Sequence, residues 1–147
     1  MALHDDIAML QRLDFFDVFE NDQLRLMLFA ADRRVLRPNE TLFLQGDVAD
    51  DGFLVQSGLI SLVTATNTVV EQVRSGMLIG EYALLASGDR PTTAVAREPT
   101  SLIVLPRKLI LRLLTEYPTV AQALRQKIAE RANSFNAALA RIAETAR

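Results

Sequence analysis

Residues 79–96, IGEYALLASGDRPTTAVA, put a glycine, a carboxylate, a short apolar segment, a turn and one arginine in a single run. Gly80 allows a close backbone approach or a positive φ. Glu81 to Leu85 are expected to form one helical turn, whose free N–H groups and dipole attract negative charge. Arg90 adds a planar fork that grips an anion at two points. Together these residues describe a pocket wall for a small anion that also carries a hydroxyl group. Readable strands stand on both sides of the run, so the wall belongs to a β architecture.

Working outward, the chain from Arg33 onward alternates short apolar runs with turn residues. Strands are predicted at 35–36, 42–44, 53–55, 60–63, 69–73 and 77–79 before the run at 79–96 turns, and at 92–96 and 102–105 after it. All six glycines, at 46, 52, 58, 76, 80 and 88, fall within this part. Eight short strands with such punctuation predict a small barrel or jelly roll, a closed form that leaves few open edges.

Helices are predicted on either side. Asp5 to Leu13 places Ile7, Leu10 and Leu3 on one face, and Phe15, Phe16 and Phe19 follow as an aromatic anchor. Asn21 is the predicted N-cap of a second helix to about Ala31, with Leu24, Met27 and Leu28 inward. Pro106 is expected to stop the strands and open a helix with Leu109, Ile110, Leu113 and Leu114 on its apolar face. After Tyr117 and Pro118, a last helix runs from about Thr119. Its residues Ala121, Leu124, Ile128, Arg131, Phe135, Ala138 and Ile142 keep spacings of three and four, the seam of a coiled coil or of a helix lying along another surface. The expected class is α+β in one domain over 1–147: helices in 1–32, a β-roll in 33–105 with the anion-binding stretch at 79–96, and two helices in 106–147.

Composition removes several function classes. A chain of 147 residues is long enough to bury roughly two-thirds of its unfolded surface. Its formal net charge of −2 gives no basic face for non-specific nucleic-acid binding. Without cysteine there is no disulfide, thiolate nucleophile or cysteine metal site. The one histidine, His4, lies close to the start, so no nucleophile–base constellation or metal-ligand cluster is legible. A non-enzymatic role without metal or cofactor is expected. The acidic start lacks a signal peptide's pattern, and no apolar run reaches membrane-spanning length, so a cytoplasmic setting is expected.

Two segments, LFLQGDVADDGFLVQSG at 42–58 and the GEYALL…R run from Gly80 to Arg90, resemble the cyclic-nucleotide-binding domains of the catabolite-activator and kinase-regulatory-subunit type. The likeness extends from the first helix to about Asn136. It implies a jelly-roll β-barrel with flanking helices and identifies 79–96 with that family's phosphate-binding cassette. By resemblance, Arg90 pairs with the cyclic phosphate, assisted by the backbone amides near Tyr82 and Ala83; the Thr92 hydroxyl, which can donate to an anion, is the expected substitute donor beside it. Glu81 accepts the ribose 2′-hydroxyl, with Gly80 and Tyr82 beside it. The last helix is the family's lid or dimerisation element, in which Arg131 or Phe135 would stack on a base while Asn133 or Ser134 reads its edge. Phe135 as a seam residue, with Asn133 and Ser134 solvated, is the competing assignment.

Two positions depart from that pattern. Pro91, which has no N–H to offer, follows the arginine. Tyr82 stands where leucine or methionine is more usual. The leading expectation is a regulatory signal-transduction module that binds a cyclic nucleotide, cAMP before cGMP, and transmits occupancy through its C-terminal helices, with homodimerisation through the last one. A second is the sensing part of a catabolite-activator-type transcription regulator. Only 42 residues follow Leu105, which two helices consume, so no DNA binding is expected of this chain as given. A third is a ligand-free dimerisation scaffold with a degenerate pocket.

Overall fold

The structure, a computed structural model, describes residues 2–130, with side chains from residue 5 onward. Eight strands carry the middle of the chain: β1 (Asp32–Leu36), β2 (Thr41–Phe43), β3 (Asp51–Ser57), β4 (Leu59–Val63), β5 (Val69–Arg74), β6 (Leu78–Ile79), β7 (Thr93–Ala96) and β8 (Thr100–Pro106). They form two four-stranded antiparallel sheets, ordered β1-β8-β3-β6 and β2-β7-β4-β5. In each sheet, strands far apart in sequence lie side by side, as in a double-sheet jelly roll. The eight-strand roll expected from the sequence is present.

The inner faces of both sheets supply the core, because alternate residues of each strand point the same way. Leu36, Phe53, Val55 and Leu102 from the first sheet meet Ile60 and Val73 from the second, all buried. The strands differ from their predicted bounds at the ends. Pro106 does not open the following helix: it is the last residue of β8, paired with Asp51, and the helix begins at Arg107. A strand end tolerates proline, which has no N–H for the ladder. Likewise β7 begins at Thr93 and not Thr92, with the Thr93 hydroxyl accepting the Gln45 N–H at 2.9 Å.

Before the roll come α1 (Ala2–Gln11) and α2 (Asn21–Ala30), joined through a 3-10 turn, Asp14–Phe16. Phe15, Phe16 and Phe19 are buried with Leu10, Leu24 and Met27, as their spacing predicted. Phe15 and Phe16 meet edge to face at 4.8 Å between centroids. Asn21 is the first helical residue and not the cap. Glu20 holds the cap position, and its N–H donates to Gln23 Oε1 at 2.9 Å, one arm of a capping box. The Leu3 and His4 side chains lie outside the described residues.

After the roll, α3 (Arg107–Glu116) buries Ile110 and Leu113, and α4 spans 118–130 with Val120 and Leu124 buried. Compactness divides the chain into a unit of Met1–Leu113 and a unit of Leu114–Arg147. The seam expected from Arg131 onward lies outside the described residues.

One buried charge ties α1 to the roll. Asp6 is 2% exposed, and its carboxylate accepts from Arg33 Nη1 on β1 and from Gln56 Nε2 on β3, each at 2.9 Å. A buried carboxylate stripped of its cation costs several kcal/mol, less here because Arg33 is itself 44% exposed. Arg33→Ala is therefore expected to lower unfolding stability by about 1–3 kcal/mol in urea melts. An unchanged midpoint would show that Gln56 alone satisfies Asp6.

Candidate functional site

The site begins where β6 ends. Gly80 has φ +79°, a backbone that L side chains rarely adopt. That turn delivers the chain into a short 3-10 helix, Tyr82–Leu84. The Ala83 N–H donates to Gly80 O at 3.1 Å, the Leu84 N–H to Glu81 O at 3.2 Å and the Leu85 N–H to Tyr82 O at 3.1 Å. Leu84 is fully buried and seats on Gly52 of β3, where an added Cβ would come within 2.9 Å of Leu84 Cδ2. The missing side chain at 52 is what lets the turn sit against the sheet.

The other half of the stretch is pinned by the loop between β2 and β3. The Arg90 N–H donates to Asp47 O at 2.8 Å, the Gly46 N–H to Arg90 O at 2.9 Å and the Ala49 N–H to Gly88 O at 2.8 Å. These bonds fix the Arg90 backbone and send its side chain inward. The residue is 5% exposed. Its guanidinium carbon lies 4.3 Å from the Phe43 ring centroid and 5.3 Å from that of Phe53, within cation–π range of both. Nη2 donates to the Asp51 carbonyl at 2.9 Å. Gly80 matters here a second time, because a Cβ there would lie 2.8 Å from Arg90 Nη1.

Arg90 is incompletely satisfied. Its buried Nε–H meets no acceptor among the described residues. Burial pushes the guanidinium below its ordinary value, opposed by the carboxylates of Asp51, Asp50 and Asp47. Burial also raises the Asp51 carboxyl, against the pull of Arg90. The cation is thus held in a place that costs free energy, which a bound anion would offset.

A cavity of about 440 Å³ opens beside it. Gly80, Glu81, Tyr82, Ala83, Arg90 and Thr92, all singled out from the sequence, line it together with Pro91. Tyr82 is 77% exposed, so its phenol meets solvent. Glu81 and Thr92 are half-buried. Arg131, Asn133, Ser134 and Phe135, the expected base and lid contacts, lie outside the described residues.

Several contributors were not legible in the sequence. The Asp51 backbone oxygen and the Phe43 and Phe53 rings surround Arg90 from strands some forty residues away, and nothing local marks them. Arg107, the first residue of α3, was also missed. Its Nη1 donates to Ala49 O at 2.9 Å and to Ala83 O at 3.2 Å, and its Nη2 pairs with Asp50 at 3.3 Å. An arginine directly after a strand-ending proline was the only available hint. Among the described residues no group of three or more histidines, aspartates or glutamates could hold a metal, and no helix is long and apolar enough to cross a membrane.

Comparison with known proteins agrees with this geometry. Residues 33–117 match the family described as cyclic nucleotide-binding domain. The chain is 32% identical over 114 residues to the cyclic AMP receptor protein of Thermus thermophilus, covering 75% of this chain and 53% of that protein. It therefore spans about half the length of that relative. A solved cyclic nucleotide-binding-like protein from Brucella abortus is 36% identical, with a TM-score of 0.70, covering 76% of this chain and 98% of that one. The N-terminal domain of a transcriptional regulator from Streptomyces coelicolor A3(2) is 27% identical, with a TM-score of 0.81, covering 89% and 94%. With the match extending over more than half its length and across both sheets and the Arg90 loop, this chain belongs to the cyclic nucleotide-binding domain family.

Proposed function

We propose that this chain is a non-enzymatic regulatory module that binds a cyclic nucleotide in the cavity beside Arg90, with cAMP the expected ligand and cGMP the second. The observation that carries this reading is Arg90 itself: a buried guanidinium with an unsatisfied Nε–H, opening onto a cavity of nucleotide scale. An anion entering there would supply the acceptor that the fold withholds. In this reading Arg90 takes the cyclic phosphate. The Thr92 hydroxyl stands in for the amide that Pro91 lacks, and the Ala83 N–H would be shared with its present acceptor, Gly80 O. Glu81 accepts the ribose 2′-hydroxyl, and Gly80 and Tyr82 frame the sugar.

Occupancy would be read out by a population shift. Arg107 supports a route, since the first residue of α3 is bonded to Ala83 O in the turn that forms the cavity wall. A ligand that moves this turn would also move the start of α3. We further propose that the whole of 1–147 acts as one cytoplasmic regulatory domain and homodimerises through its last helix. DNA binding is not assigned to the chain as given.

The Streptomyces neighbour, the N-terminal domain of a transcriptional regulator, favours a second reading: the sensing part of such a regulator. Pro91 and the exposed Tyr82 favour a third, a dimerisation scaffold whose pocket stays empty. Sedimentation with and without nucleotide separates the last from the first. The scaffold is expected to dimerise without ligand and to show no ligand-induced thermal shift.

Removing one partner of a buried charged contact costs about 2–5 kcal/mol, roughly thirty- to several-thousand-fold in affinity. Arg90→Leu is expected to weaken cyclic nucleotide binding by that factor in calorimetry, and Glu81→Gln to weaken it less. No binding by the wild type at millimolar nucleotide, or an unchanged affinity in Arg90→Leu, would overturn the reading.

Gly80→Ala must move the Arg90 guanidinium and also strain a backbone at φ +79°. It is expected to lower both affinity and stability, the latter by about 1–3 kcal/mol. Isothermal calorimetry and a thermal melt on the same preparation check the two together.

A further inference from the structure

The helix α2 has one face turned inward and one turned to solvent. Gln23, Leu24, Met27 and Leu28 are buried. Asp22, Arg25, Leu26 and Phe29 follow the three-and-four spacing that gathers side chains on the opposite side. Leu26 is 52% exposed and Phe29 is 87% exposed. A single exposed leucine is ordinary in a folded protein. A phenylalanine left almost wholly in water beside it is not, because such a ring is among the side chains that gain most from burial. Among the described residues, these four side chains line a depression of about 360 Å³ on the surface of the helix.

The charges around the stripe are opposite at its two ends. Asp22 lies in the first turn with its side chain 91% exposed, and its contact with Arg25 is 3.8 Å long. An exposed pair of that kind stabilises little. Just beyond the last turn, β1 begins with Asp32, Arg33 and Arg34. Arg33 is engaged by Asp6. Arg34 is exposed and makes no hydrogen bond or ion pair among the described residues. The helix dipole has the same polarity in reverse, positive at the Asp22 end and negative at the end that leads to Arg34.

We propose that the Leu26–Phe29 stripe of α2 docks against the same stripe of a second copy of this chain, the two helices lying antiparallel about a two-fold axis. Leu26 of one copy then faces Phe29 of the other, so four apolar side chains leave water together at the centre. Asp22 of each copy lies toward the end of the other helix that leads to Arg34, and the two dipoles oppose. A parallel pairing would instead bring Asp22 against Asp22 and Arg34 against Arg34. A two-fold contact uses one patch twice, so complementarity within the patch suffices. The contact requires nothing of the cyclic nucleotide or of the last helix. One helix face is smaller than a standard interface, so association is expected to be weak, at about 0.1–1 mM.

Sedimentation velocity of the full chain between about 10 μM and 1 mM, a range that spans weak association, tests the contact. The wild type is expected to grow beyond the species present at the lowest concentration. Phe29→Ser is expected to weaken that growth by at least about tenfold, as loss of a central aromatic does. Asp22→Arg and Arg34→Asp are each expected to weaken it by about two- to tenfold, since both copies lose a pair. The double variant exchanges the two charges and is expected to restore wild-type association, which a folding defect would not do. Equal growth in wild type and Phe29→Ser overturns the proposal and assigns association to another surface. A wild type that keeps one size throughout also overturns it and leaves the stripe to a different partner. Weakening in Phe29→Ser without rescue in the double variant overturns the antiparallel arrangement.

Discussion

A guanidinium that has almost left water needs its compensation from inside the fold, and Arg90 has only part of it. Two phenylalanine rings and one carbonyl oxygen stabilise it where solvent would otherwise do so. Both sheets contribute: Phe53 and Asp51 come from β3, Phe43 from β2, and the Arg90 backbone from the loop before β7. Folding the roll and burying this cation are therefore one event. The remaining Nε–H has no acceptor among the described residues, and an interior polar group left unpaired is destabilising.

The surrounding glycines follow from the same constraint. At 80 the chain must turn with positive φ and also leave room for Nη1, so one absent Cβ meets two demands. At 52 the absent Cβ seats Leu84, and through it the 3-10 turn that lines the cavity. Arg107 then holds the turn's Ala83 carbonyl and the neighbouring Ala49 carbonyl with one nitrogen. The cavity wall is thus assembled from a short turn that has little stability of its own and depends on its attachments.

Much of this was legible in the chain. The apolar alternations from Arg33 onward announced eight strands, and the run from Gly80 to Arg90 announced residues that the structure gathers around one cavity. Local rules carry that far because strand periodicity, turn glycines and motif spacing are properties of neighbouring residues. They failed at boundaries set by local hydrogen bonds: Glu20 took the cap expected of Asn21 because Gln23 could reach back to its N–H. They failed at Pro106 because a place at the end of β8 against Asp51 outweighed its aptitude for a helix start.

The sequence by itself determined the class of the domain, the composition of the stretch 79–96 and the absence of cysteine chemistry. Only the tertiary structure decided what Arg90 experiences. Phe43, Asp51 and Phe53 reach it across 37 to 47 positions of chain, and no periodicity of three, four or two links residues so far apart. Tertiary pairing also decided that Glu71 faces the cavity, because its side is set by register with Leu62 on the neighbouring strand. A one-residue slip in that register would have turned the same carboxylate to solvent.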